Sequence, residues 1–181
     1  MLLVAAGCGG GSDSKVAKEP SDPAAKPPHG WRTLSNREAG FTLSLPKSWT
    51  ARVKGTASVI RSKDRLLVIT VAADRGEQGR ELSAFDYARR TLDALPDFEG
   101  SVLPRARRVR GPPYRSARVD GTGTLKTSKR LQGITVATFQ RHGEVTYALV
   151  AFFNPKLPES FYEPELKRIL RSFRAQRPRA R

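Results

Sequence analysis

The chain has 181 residues, 38% of them hydrophobic and 28% charged, which fits one domain of ordinary size with tails and is short for two. One Cys excludes an intrachain disulfide, two His leave few metal ligands, and no run reaches the ~18 apolar residues of a membrane span. The formal net charge is +16, from 33 Lys and Arg against 17 Asp and Glu, and such a surface attracts polyanions and repels cations.

The chain opens MLLVAAGC and continues GGGS. An apolar run ending in the small residues Ala6 and Gly7, just before the lone Cys8, resembles the lipobox of bacterial lipoproteins. That resemblance implies a diacylglyceryl group on the Cys8 sulfur, with residues 1–8 as the end of a lipoprotein signal cut before Cys8. A signal peptide has a charged n-region and ~7 to 15 apolar residues, so the leader is expected to begin upstream of Met1. Residues 9–30, with Pro20, Pro23, Pro27 and Pro28, lack hydrophobic periodicity. They are expected to form a linker holding the domain on the order of 25 Å from its anchor.

From Trp31 the pattern changes. Phe41, Leu43 and Leu45 alternate with Thr42 and Ser44 up to Pro46, which predicts a strand with one buried face. A hairpin is predicted at 57–61 and 65–73, turning at Lys63 and Asp64; its second strand, apolar on both faces, should be covered on both sides. Residues 75–79 read as a loop. Ser83 with Asp86 three residues on marks a helix start, and Phe85, Ala88, Leu92 and Leu95 give that helix an apolar stripe. Strands follow at 114–125, 130–140 and 145–153, the last pair joined across His142 and Gly143. Tyr162, Leu166, Ile169, Leu170 and Phe173 make the stripe of a closing helix. The expected fold is α+β, an antiparallel sheet flanked by helices on both faces. The domain should span 31–174, followed by a basic tail at 175–181.

GFTLSLPKSW at 40–49, ITVATFQRHGEVTYALVAFF at 134–153 and LKRILRSFR at 166–174 resemble the PsbP-like superfamily. That superfamily includes photosystem extrinsic subunits, a Ran-binding nuclear-import family and actinobacterial envelope lipoproteins of the LpqN type. The resemblance implies an α/β/α sandwich and a binding or scaffold role rather than catalysis. With the lipobox it favours the envelope branch.

Candidate chemistry is sparse. Ser44 and Lys47 have the spacing of a penicillin-binding nucleophile motif, but a strand ending at Pro46 forbids the helical geometry it needs. Gly121, Gly123, Lys126 and Thr127 lack the glycine before the lysine of a phosphate loop, and are read instead as a bulge or a close backbone approach. His142 reads as a turn residue. The carboxylate pairs Asp93 with Asp97 and Glu159 with Glu163 read as helix-end acids. No enzyme, cofactor or metal site is expected. The one dense feature is Arg105, Arg107, Arg108, Arg110, Arg115 and Arg118, six arginines with no acid among them. They are expected to bind an anionic lipid or envelope polymer, or only to keep an exposed strand from pairing with another molecule. A lipid-anchored protein on the extracytoplasmic face of the bacterial cell membrane, binding a protein, lipid or polymer partner, is the leading expectation. Nucleic-acid binding through Arg105 to Arg118 is the alternative, weakened by the absence of a recognition motif.

Overall fold

The computed structural model describes residues 27–102, 109, 114–141 and 144–176. Cys8, linker residues 9–26, Arg105, Arg107, Arg108, Arg110, His142 and the tail from 177 lie outside the described residues.

The alternating segment at 41–46 is β2 (Phe41–Pro46), and it pairs antiparallel with a preceding strand, β1 (Trp31–Asn36). A meander follows: β3 (Thr50–Lys54), β4 (Ala57–Arg61) and β5 (Leu67–Asp74). Gly55 sits at φ +56° in the β3–β4 turn, a left-handed conformation that favours glycine. Next come α1 (Glu77–Glu81), where a loop was expected, and α2 (Ala84–Asp93). The strands β6 (Phe98–Val102), β7 (Arg115–Leu125), β8 (Leu131–Arg141) and β9 (Val145–Phe153) lead to α3 (Glu159–Ser172) and the short β10 (Arg174–Ala175).

The main sheet has seven antiparallel strands in the order β3-β4-β5-β9-β8-β7-β6, and a second sheet has the order β1-β2-β10. Helices lie on both faces of the main sheet, as expected; α3 shares its face with the smaller sheet. On that side Leu43, Leu45, Ile69, Leu149, Leu166 and Ile169 form one buried core. Phe173 sits at its centre, stacked on Phe139 at 4.3 Å between centroids and on Phe41 at 5.7 Å. The Tyr147 hydroxyl donates to the Gly40 carbonyl at 2.8 Å, and burial pushes its phenol up to about 12. Asn36 ties the two sheets together: its Nδ2 donates to Gly55 O at 3.1 Å and to Ser58 Oγ at 3.1 Å, while its Oδ1 accepts from Ala39 N at 2.9 Å.

On the opposite face, α2 packs Ala88 and Leu92 against Val119, Ile134, Val136 and Val150. Ser83 caps it as expected, its Oγ accepting from Asp86 N at 3.1 Å. Two buried polar groups of β8 grip the helix start: Thr138 Oγ1 donates to Ala84 O and Gln140 Nε2 to Leu82 O, each at 2.6 Å. This draws Ala84 onto the sheet, and Phe85, expected in the buried stripe, is 38% exposed instead. The expected cover of β5 on both sides is also not found among the described residues. Leu67, Ile69 and Val71 are buried, but Val68, Thr70 and Ala72 are only half-buried, because α1 and α2 pack on β7, β8 and β9. Gly123 does mark a close approach: a Cβ there would meet Glu99 O at 2.5 Å and the Phe98 ring at 2.4 Å.

Candidate functional site

A groove of about 280 Å³ opens where the start of α3 faces the β4–β5 turn. Leu67 and Trp49 line it from the sheet side, Leu157, Phe161, Tyr162 and Glu165 from the helix side, and Ser62, Lys63, Asp64 and Leu66 from the turn. The turn is fixed by its own hydrogen bonds. Ser62 Oγ donates to Asp64 Oδ1 at 2.5 Å, Leu66 N donates to the same oxygen at 3.0 Å, and Leu67 N donates to Ser62 Oγ at 3.0 Å. The hydroxyl and the amide hold the Asp64 carboxyl below its usual range. Tyr162 stacks on Phe153 at 4.1 Å, and Arg32 Nη2 donates to Trp49 O at 3.0 Å. Phe161 is 52% exposed and Leu66 40%, so the groove shows solvent an apolar rim with a few charges. Such a rim suits contact with another molecule. Among the described residues no three His, Cys, Asp or Glu side chains cluster for a metal.

The structure divides the two described members of the arginine segment. Successive residues of a strand face opposite ways, and Arg115 is exposed while Arg118 is 7% exposed. Arg118 therefore offers nothing to an external anion. Its guanidinium forms a fork on Glu163, Nη1 to Oε1 at 2.6 Å and Nη2 to Oε2 at 2.9 Å, and its Nε donates to Asp120 Oδ1 at 2.9 Å. Burial alone would raise the Glu163 pKa, but the hydrogen bonds and charge of Arg118, aided by Lys167, hold it below the ordinary value. Glu163 is accordingly a buried ion-pair partner and not the helix-end acid expected from its spacing with Glu159. Within the same segment Val109 is buried, and its carbonyl accepts from Ser116 Oγ at 3.1 Å. Asp97 likewise serves another element: its carboxylate accepts from Thr127 N at 2.8 Å and from the Thr127 hydroxyl, bracing the β7–β8 turn. Ser44 is buried in β2, with no helical turn to bring Lys47 beside it.

Sequence reading missed the groove because its walls come from segments nearly a hundred residues apart. The available signal was Trp49 together with the adjacent aromatic pair Phe161 and Tyr162, and neither carries a motif.

No family model and no curated protein sequence matches the chain. Solved structures do share its architecture. The solution structure of cyanobacterial PsbP (CyanoP) from Synechocystis gives a TM-score of 0.58 at 12% identity, over 81% of this chain and 92% of that one. The fold is PsbP-like. The PsbP-like domain is also similar to the Ran-binding protein Mog1p of Saccharomyces cerevisiae, with a TM-score of 0.53 at 12% identity over 80% of this chain and 95% of that chain. LpqN, involved in cell envelope biogenesis of Mycobacterium tuberculosis, gives 0.51 at 14% identity over 81% and 90% respectively. A structure from Bacteroides thetaiotaomicron is longer, and the chain covers 48% of it. At these identities the likeness concerns the fold.

Proposed function

We propose that the protein is a lipid-anchored component of the bacterial cell envelope whose PsbP-like domain binds a partner noncatalytically. The observation that carries the binding reading is the open groove, with Phe161 and Leu66 held out to solvent beside Trp49. Support for the anchor comes from the run ending at Cys8, and support for the envelope from the fold shared with LpqN. A lipobox cysteine gains at least two acyl chains, enough for stable attachment where one chain gives only reversible binding. In this reading Arg105, Arg107, Arg108, Arg110 and Arg115 add attraction to anionic headgroups or polymer, on the order of 1 kcal/mol for each base near the surface. Arg118, being buried, has no part in it. The nucleic-acid alternative draws on the same segment and loses the same residue.

The test uses the protein expressed in its native host from its own gene. On detergent phase partitioning the wild type should enter the detergent phase and Cys8→Ser the aqueous phase; equal partitioning overturns the anchor. For the groove, a photo-cross-linking residue at position 161 should give a discrete adduct that the same residue at the exposed position 156 does not. Identical patterns from the two positions overturn the groove as the binding surface.

A further inference from the structure

Among the described residues, the face of the main sheet that carries α2 is covered over one half only. Strand register lays three rows across it. One runs Thr50, Arg61, Val68, Phe152, Ile134; the next Arg52, Val59, Thr70, Val150, Val136; the third Lys54, Ala57, Ala72, Ala148, Thr138. The inner end of each row lies beneath α2. Toward β3 the helical cover stops, and Val59, Val68, Thr70, Ala72 and Phe152 are half-buried. The outer margin of this bare half is basic: Arg52, Lys54 and Arg61 are all exposed. The acid on the same face of β5, Asp74, stands at the α1 end, where it accepts from the Tyr87 hydroxyl at 2.8 Å and from Gly76 N at 2.7 Å.

We propose that this recess receives an acidic amphipathic helix of a partner protein, laid beside α2 so that it completes the helical layer. The dimensions fit one helix. Three strands about 4.8 Å apart span roughly 10 Å, which is the width of a helix with its side chains. Three rows two residues apart cover about 14 Å, the length of a helix the size of α2. A stripe of apolar side chains meets Val59, Val68 and Phe152, and carboxylates along the helix edge away from α2 meet Arg52, Lys54 and Arg61. Because α2 rises about one helix diameter above the sheet, a flat anionic bilayer is held off the recess while a single helix enters. The proposal goes beyond the reading of the domain as a binding module and rests on the register, burial and charge of this face, on neither the groove nor the anchor.

The full chain, labelled with ¹⁵N, is titrated with two synthetic helical peptides of identical Leu/Ala stripe, one flanked by Glu and one by Lys. The Glu peptide should shift the amide signals of Val59, Val68, Thr70 and Ala72. It should bind about ten-fold more tightly than the Lys peptide, the size expected of three exposed ion pairs together. The triple variant Arg52→Glu, Lys54→Glu, Arg61→Glu should reverse that order. Should it fail to fold, as judged by thermal melting, Arg52→Gln with Arg61→Gln should still cut the preference by more than half. Equal binding of the two peptides overturns the proposal, as do shifts confined to the groove near Trp49 and Phe161. So do a concentration-dependent dimer that buries this face and a larger response to anionic phosphatidylglycerol vesicles than to the Glu peptide. Those outcomes leave the partitioning of Cys8→Ser and the cross-linking at 161 untouched, so the two readings fail separately.

Discussion

Arg118 is the most consequential side chain of the fold, because it is buried beneath α3 with two carboxylates for company. Without the guanidinium, Glu163 keeps only the exposed Lys167 at 3.4 Å and Asp120 only the Thr135 hydroxyl at 2.6 Å, which leaves buried charge poorly compensated. Arg118→Ala should therefore cost about 3 to 5 kcal/mol in urea unfolding, while Arg118→Met combined with Glu163→Leu should recover much of the loss. The pair also sets an acid limb. The Glu163 carboxyl titrates below its ordinary value of 4.5 in the folded chain, so its contribution is complete above about that pH and is lost as pH falls through the lower folded value. Stability measured from pH 6 down to pH 3 should fall less steeply in Glu163→Gln than in the wild type. Composition counted Arg118 with its basic neighbours; only the strand's alternation, and a helix 45 residues later in sequence, turn it inward.

At the scale of the element, α2 depends on its first turn. Ser83→Ala removes the acceptor for Asp86 N and should lower stability by about 1 kcal/mol, read as a reduced urea midpoint with unchanged slope. Both halves of this cap were legible in sequence, since Ser83 and Asp86 are local to each other. So were the strands at 57–61 and 145–153 and the stripe of α3, where hydrophobic period and length agree. Elements missed in sequence lack that signal. Thr50–Lys54 is an exposed outer strand with little to bury, Phe98–Val102 has Gly100 at its centre, which weakens a strand pattern, and the five residues of α1 are polar apart from Gly79. Phe85 and Val68 went wrong for a different reason. Each is apolar at a periodic position, and whether such a position is covered depends on where a distant element stops.

The whole molecule closes around one shared core on the α3 side. A fragment of residues 27–176 should fold alone and unfold in a single transition seen by Trp31 and Trp49 fluorescence, with the same midpoint in the presence of chelator. A midpoint lowered by several degrees on chelation would reveal a bound metal. The fragment must run past 174, because β10 includes Ala175 and Gln176 N donates to Gly40 O at 2.7 Å.

That last pairing has a bearing on how the protein is made. Strand β2 is flanked by β1, which precedes it directly, and by β10, at the far end of the folded part; nearby, the Ser44 amide meets the Ser172 hydroxyl across 128 residues of sequence. Contacts so distant form late, since the loop they close must first be ordered. A nascent chain still lacking its final segment leaves Phe41 and Phe139 without the ring of Phe173. The domain can therefore complete this core only after its C-terminal segment has been synthesised, and until then apolar surface on the α3 side stays exposed.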